Sequence, residues 1–403
     1  MRILHTSDWH IGRKIHNHDV HDFQRLALDH LVDSAIAQQV TAVVVSGDVF
    51  DGPVPSVDSL RLLNHTLTRL HNAGIVSVLT AGNHDQAERL AVNANLLLDT
   101  VHIVGTSKVC NEPIELSDEH GPVLIYPITF LWPDHERHTL SQGDEPLGRS
   151  HLDVTKAAVD LIKSDLAARE ASHGGPLRTI VMSHAFVTRS GEAPAPLEAV
   201  EVSCDSERDI SIGGVQTVPA YLFDGFTYVA LGHLHRPQEV TMPSDSATVT
   251  RYSGSLLRYT LSETAHEKSF AIVELGAVGV APQHELISIP QGRGMARLTG
   301  TLDELLAPDK AKHYTDFVEL VVTDEVRPDH VFERLKSKYE AILSWRYSPH
   351  GATVVYDNGK IKVNPQVSTA QNTQEFIERV TERAANEDEI NLINEVLDEM
   401  KMV

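Results

Sequence analysis

Short apolar runs alternate with amphipathic stretches through the first two-thirds of the chain. RILHTS, TAVVVSG, IVSVLTAG, VLIYPIT, TIVMSHA, TYVALGH and FAIVEL have strand length and strand composition. Helical patterns lie between the early ones. In DFQRLALDHLVDSAIAQQ, residues Phe23, Leu26, Leu31 and Ala35 recur at helical intervals. SVDSLRLLNHTLTRLHNAG carries Leu60, Leu63, Leu67 and Leu70 on one face and stops at Gly74. HLDVTKAAVDLIKSDLAARE ends in the breaker HGGP. Strand, helix, strand at short connections predicts an α/β layered domain. In such sheets ligands gather beyond the carboxyl ends of the strands.

The pattern changes near residue 280. GMARLTGTLDELL, DFVELVVTD and RPDHVFERLKSKYEAILSWRY read as strand, short helix, strand, helix, strand, a small α/β unit. Turn-forming residues then dominate YDNGK and NPQVSTAQN, a linker composition. The tail reads as a helical pair broken near Asn386. Phe376 and Val380 line its first member; Ile390, Ile393, Leu397 and Met400 line its second. Four segments are expected: a domain over 1–275, a cap over 276–350, a linker over 351–370 and a helical tail over 371–403.

Composition narrows the classes. A hydrophobic content of 41% with 22% charged residues is that of a soluble globular protein. No apolar run reaches the roughly 20 residues that span a bilayer, so no membrane is expected. MRILHTSDWH lacks the layout of a secretory signal. The two cysteines, Cys110 and Cys204, have no CxxC spacing, which argues against a disulfide framework or a thiolate zinc site and favours a cytoplasmic setting. The net charge of −22 repels polyanions on average. A phosphate-bearing substrate therefore needs bound metals, a few placed basic residues or a partner to draw it in. Arg13, Lys14, Arg189, Arg236 and Arg258 adjoin the motif residues and are candidates, weighed against ordinary solvated loop charges.

Candidate chemistry sits where the strands end. LGHLH holds His233 and His235, which project together if the strand continues through them. Taken alone, such a pair reads better as strand-end histidines satisfied by carbonyls than as a metal site. Other runs behave alike, however. RILHTS is followed by Asp8 and His10, TAVVVSG by Asp48, IVSVLTAG by Asn83, His84 and Asp85, and TIVMS by His184. Five runs each deliver a potential ligand as they end, which isolated structural histidines do not explain. Carboxylates, an amide oxygen and several imidazoles suit divalent transition ions better than magnesium. Seven donors exceed one ordinary shell but suit two ions sharing a bridging carboxylate. Such a pair can promote in-line phosphoryl displacement.

DxH, GD, GNHD, a lone His and GHxH, in that order, resemble the calcineurin-like metallophosphoesterase superfamily. SDWHIGR, SGDVFDGPVPS, TAGNHD, DISIGG and ALGHLHRPQ narrow the resemblance to the SbcD family of exonuclease subunits, strongly over residues 1 to about 270. The resemblance implies a layered β-sandwich flanked by helices, followed by a cap and a helical tail. It implies one ion on Asp8, His10, Asp48 and His235, and a second on Asp48, Asn83, His184 and His233. His84 would then act on the scissile phosphate without binding metal, and Asp85 would be structural. The ions would be two Mn2+ per chain, with Mg2+ or another divalent ion as substitutes. Where archaeal relatives have a histidine three residues after the bridge, this chain has Asp51. The role of that histidine is then absent, or is taken by Asp51 paired with His84.

The implied activity is DNA phosphodiester hydrolysis with an SbcC-type ATPase, whose coiled coil would receive the tail. The tail folding back on the cap is the same-chain alternative. A homodimer is expected through helices over 56–72 and 86–98, unless both leucine stripes cover the protein's own sheet. The competing functions are a phosphodiesterase or phosphoprotein phosphatase of the same superfamily, and a non-catalytic scaffold. The filled ligand positions oppose the scaffold.

Overall fold

The computed structural model describes residues 1–189, 217–349, 374 and 386–401. The chain divides into two compact units. The larger comprises Met1–Leu298, Leu306–Leu320 and Phe332–Trp345; the smaller comprises Thr299–Leu305, Val321–Val331 and Arg346–Val403.

Two six-stranded sheets dominate the larger unit. In the first, Gln283–Ser288, Ser269–Glu274, Arg2–Thr6, Ala42–Ser46, Val76–Thr80 and Val101–Val104 succeed one another across the sheet. In the second the order is Gln238–Glu239, Val249–Tyr252, Tyr228–Gly232, Arg178–His184, Gly121–Ile128 and Ile114–Asp118. The 2–6, 42–46, 76–80 and 101–104 strands are mutually parallel, as are the 121–128, 178–184, 228–232 and 249–252 strands. Every expected strand forms. Several edge strands with little apolar content, among them Ile114–Asp118 and Gln283–Ser288, carry no comparable signal in the sequence. The 283–288 strand lies past residue 275 yet pairs with Ser269–Glu274 in the first sheet.

Side-chain alternation makes the layers. Ile3, Ala42, Val44 and Val78 of one sheet meet Val123, Ile125, Ile180, Met182, Tyr228 and Ala230 of the other in a dry core. Their neighbours Leu4, Val43, Val45 and Leu79 face outward to the helices His21–Ala37 and Val57–Asn72. Leu124, Tyr126, Val181, Val229 and Leu231 do the same toward the helix His151–His173. Strands buried on both faces read as continuous apolar runs, which explains TAVVVSG and TYVALG. The β-sandwich flanked by helices is thus the observed architecture.

Helix limits reflect local chemistry. Ser56 accepts from the Ser59 amide at the start of 57–72. Ser150 and Asp153 form a capping box, and Gly174 ends the 151–173 helix in the left-handed region.

Three expectations need correction. Residues 86–98 are not one helix: a single turn, Ala87–Leu90, gives way to a 3-10 turn at Ala94–Leu96. The Leu60–Leu70 stripe is also not a free face, because Leu63 and Leu70 are buried in the core beneath the helix and only Leu60 is substantially exposed. Finally, the strand that enters LGHLH stops at Gly232. His233 has a φ of 103°, so the extended geometry does not run on through His235.

From residue 295 the elements are Met295–Gly300, Leu302–Leu305, Phe317–Val322, Val331–Lys336 and Ala341–Tyr347, alternating strand and helix. In the tail, Glu387–Lys401 is helical, with Ile390, Ile393 and Leu397 half-buried and Leu392 exposed. The expected linker, together with Phe376 and Val380, lies outside the described residues. No helix among the described residues is long and apolar enough to cross a membrane.

Candidate metal centre

Parallel strands aim their carboxyl ends the same way, and the candidate donors lie at or just beyond those ends. Asp8, His10, Asp48 and His233 all take positive φ values, 51°, 44°, 51° and 103°. Such backbone is costly for residues with a Cβ and persists where surrounding structure enforces it. Here the ties are visible. The Asp8 and His10 amides donate to Gly47 O and Asp48 O at 3.1 and 2.9 Å. The His233 amide donates to both Asp8 carboxylate oxygens at 3.1 Å. Two glycines permit the convergence: a Cβ on Gly232 would strike Ser46 O, and one on Gly82 would strike the Asp48 carboxylate and amide.

The side chains form one continuous cluster. His10 Nε2 lies 3.1 Å from His235 Nε2 and 3.6 Å from Asp48 Oδ2. His184 Nε2 lies 2.9 Å from Asn83 Oδ1 and 3.4 Å from Asp48 Oδ2. His233 Nδ1 is 3.2 Å from Asn83 Oδ1. Thus His235 faces His10 while His233 faces Asn83, so the HxH pair is divided between two donor groups. Asp8 with His10 and His235, Asp8 with Asp48 and His184, and His10 with Asp48 and His84 each bring donor atoms within 4.8 Å. Two of these three groups contain Asp48.

Imidazole nitrogens turned toward one another and toward carboxylates suit a cation between them. Protonation agrees. Burial drives His10 down to about 3 and His233 well below its ordinary value, so both are neutral at pH 7, as metal ligation requires. Burial pushes the Asp48 carboxyl up, but His184 beside it outweighs that and holds Asp48 well below the carboxylate range. His184 itself loses to burial and gains more from Asp48, reaching about 9, so it carries a proton at pH 7 that a cation has to displace before the ring can ligate. Asp8 is raised by burial, with His184 and His235 opposing. The donor set fits divalent cations.

Around this cluster the neighbours are fixed. The His84 amide donates to Asp48 Oδ1 at 2.9 Å, and its ring stands 4.7 Å from that of His10. His84 Nδ1 faces the Asp51 carbonyl at 3.2 Å. The Asp51 carboxylate instead approaches His10 Nδ1 at 3.4 Å and Arg13 at 3.5 Å; Asp51 therefore meets His84 through its backbone alone. Asp85 accepts from the Val49, Phe50 and Gly82 amides, pinning the Asp48 loop to the Asn83 loop. Arg13 lies over Tyr259 at 5.1 Å, and Arg258 donates to His266 O. Lys14, Arg189 and Arg236 are exposed.

Two buried groups behind His235 have no signal in the sequence. Glu263 Oε1 lies 3.2 Å from His235 Nδ1, and its Oε2 lies 2.6 Å from Lys268 Nζ. Lys268 also donates to His235 O at 2.7 Å and to Ser255 Oγ at 2.8 Å. A carboxylate on Nδ1 fixes the tautomer that leaves Nε2 free for a metal. SETAHEK carries no motif, and its contact with His235 bridges 28 residues of chain.

This layered fold with donors at its strand ends is the class expected of a metal-dependent phosphoesterase. The family model for calcineurin-like phosphoesterases matches residues 1–237. Over 369 residues the chain is 33% identical to the SbcD subunit of the nuclease SbcCD from Rhodobacter capsulatus, covering 85% of each protein. It is 29% identical over 405 residues to the corresponding SbcCD nuclease subunit of Bacillus subtilis, covering 97% of this chain and 96% of that one. A solved dimetal phosphatase from Danio rerio aligns over 72% of this chain and 99% of its own at 13% identity, with a TM-score of 0.42. The chain belongs to the calcineurin-like phosphoesterases and, within them, to the SbcD family of nuclease subunits.

Proposed function

We propose that this chain is the nuclease subunit of an SbcCD-type complex, a Mn2+-dependent hydrolase of DNA phosphodiesters. In this reading it cuts single strands internally, degrades double-stranded ends and opens hairpins. The observation that carries the proposal is the meeting of seven donors, Asp48 among them, from five strand ends. Asp8, His10, Asp48 and His235 hold one ion, and Asp48, Asn83, His184 and His233 hold the other. When bound, two such ions lower the pKa of water and offset charge on the attacked phosphate. Asp48 serves both sites as a carboxylate, the state its environment favours. His235 keeps Nε2 toward the site because Glu263 engages Nδ1. His84, held by the Asp48 and Asp51 contacts, stands at the rim to stabilise charge on the phosphate or to aid the leaving oxygen.

The decisive experiment pairs metal content with hydrolysis of linear and hairpin DNA. Asp48→Asn is expected to abolish hydrolysis and weaken both sites. His84→Gln is expected to lose about 10²–10⁴-fold in rate with metal content near the wild-type value. Equal metal loss in the two variants refutes the division of roles, and would fit His84 acting as a donor beside His10 and Asp48. Hydrolysis of a small aryl phosphodiester without any DNA cleavage refutes the nuclease reading.

The partners are also part of this proposal. The amphipathic tail binds the coiled coil of an SbcC-type ATPase, since a lone helix of this length needs a surface to pack on. The homodimer uses a groove of about 390 Å³ between the 57–72 helix and the 86–98 turns, lined in part by Pro55, Leu60, Leu67, Leu90, Val92 and Leu97. Val57, Leu60, Val92, Leu96 and Leu98 stay exposed around it, an apolar surface suited to a partner copy.

A further inference from the structure

One strand end beside the site has no donor on it. The 121–128 strand runs parallel to 178–184, so its carboxyl end points toward the same rim. Thr129, Phe130, Leu131 and Trp132 come directly after it. Phe130 is 7% exposed, and its ring centre stands 6.0 Å from that of His184 and 6.3 Å from that of His233. Trp132 packs edge-on against Phe130 at 4.8 Å, yet is 55% exposed.

The segment is held at both ends. The Phe130 amide donates to Ala81 O at 2.8 Å, next to the loop that carries Asn83 and His84. Leu131 is buried in the core under the second sheet. The Trp132 carbonyl accepts from the His135 and Glu136 amides at 3.0 and 2.8 Å, opening the helix Pro133–Thr139. An exposed indole on a fixed backbone, one ring beyond two candidate metal ligands, is not explained by core packing.

We infer that Trp132, backed by Phe130, is a stacking platform for the nucleobase adjoining the scissile phosphate. The inference rests on the nuclease reading and adds to it a determinant for unpaired bases. Stacking on an aromatic face is tolerant of sequence and requires no positive charge. That suits a chain with a net charge of −22, whose Arg13 is already engaged by Asp51 and Tyr259. A base stacked there has to leave its duplex, so the platform favours frayed ends, hairpin tips and single strands over paired DNA.

The test compares oligothymidylate with an oligonucleotide of equal length bearing abasic sites, both cut by the full chain with Mn2+. Trp132→Ala is expected to raise KM for oligothymidylate about tenfold, the effect of losing one base stack. The abasic strand should be cut with unchanged KM, and metal content and melting temperature should stay at wild-type values. Trp132→Phe should restore most of the affinity. Oligothymidylate should quench wild-type tryptophan fluorescence, and this quenching should be lost in Trp132→Phe. Equal loss on both substrates, or no change in KM on either, overturns the platform while leaving the nuclease reading intact. A wild-type protein that hydrolyses an aryl phosphodiester but no DNA overturns both.

Discussion

Replacing Glu263 by Gln separates what holds the fold from what holds the metal. The carboxylate is fully buried between Lys268 and His235, with Tyr259 N and Thr260 Oγ1 as further donors. Glutamine keeps the volume and an acceptor but removes the charge. Removing one member of a buried ion pair costs about 3–5 kcal/mol, because the survivor is left uncompensated. Lys268 keeps His235 O and Ser255 Oγ as acceptors, so the low end applies, ~3 kcal/mol. Loss of a carboxylate behind a ligating imidazole typically weakens metal binding 10–100-fold, and a tenfold to hundredfold rise in the Mn2+ dissociation constant is expected. The assay is calorimetric titration with Mn2+ beside urea unfolding, for Glu263→Gln, Lys268→Met and the two combined. Lys268→Met should destabilise by a similar amount and bind Mn2+ more nearly as the wild type does, since Glu263 still engages His235. The combination should regain stability, having no unpaired buried charge, while its metal affinity stays low. Wild-type Mn2+ affinity in Glu263→Gln would refute the reasoning and leave Glu263 a purely structural residue.

The same geometry sets four further outcomes. Gly82→Ala should lower both stability and metal content, because the new Cβ falls on the Asp48 carboxylate and amide; metal titration and melting temperature check it. Asp118 accepts from Arg178 and lies 2.6 Å from the amino terminus, and these contacts hold its carboxyl below the ordinary 3.8. A carboxyl depressed by folding binds fewer protons folded than unfolded, so its contribution is full above 3.8 and drains as pH falls below it. Asp118→Asn should therefore cost more stability at pH 7 than at pH 2, read by urea unfolding at both. Leu60→Asp with Leu96→Asp, at exposed positions rather than at the buried Leu63, should leave a folded monomer by light scattering if the 390 Å³ groove is a dimer surface. Truncation after Gln366 should abolish capture of the ATPase while Mn2+-dependent cleavage of single strands survives; retained capture would place that contact elsewhere.

How much of this is legible in the sequence depends on the distance over which each contact acts. Strands buried on both faces announce themselves, because TAVVVSG and TYVALG have no polar side to confuse the period. Edge strands such as Gln283–Ser288 have mostly exposed side chains and depend on backbone pairing with 269–274, which leaves little apolar record. The eight candidate site residues can be nominated from the sequence because one rule covers them, a ligand type at the carboxyl end of a parallel strand. The way His233 and His235 divide between Asn83 and His10 is not readable from spacing alone. It depends on the positive φ at His233 and on the Asp8 carboxylate that captures its amide.

The same rule, pressed further, reaches residues that the search for ligands passes over. VLIYPIT is as clear a strand as the other five, and its carboxyl end points to the same rim. It yields no candidate ligand because TFLWP offers no metal donor. If this site takes a nucleotide it needs more than donors, however: ions there would take the phosphate, and something must take the base. Aromatic residues suit that task, and they have to stand where a strand end holds them rigid beside the candidate metal ligands. Phe130 and Trp132 meet both conditions. Glu263 and Lys268 meet neither and cannot be found this way, because their importance comes from a contact behind His235 rather than from a place at a strand end. Strand-end position thus picks out the candidates for facing a substrate, and only the packed structure picks out the groups that stand behind them.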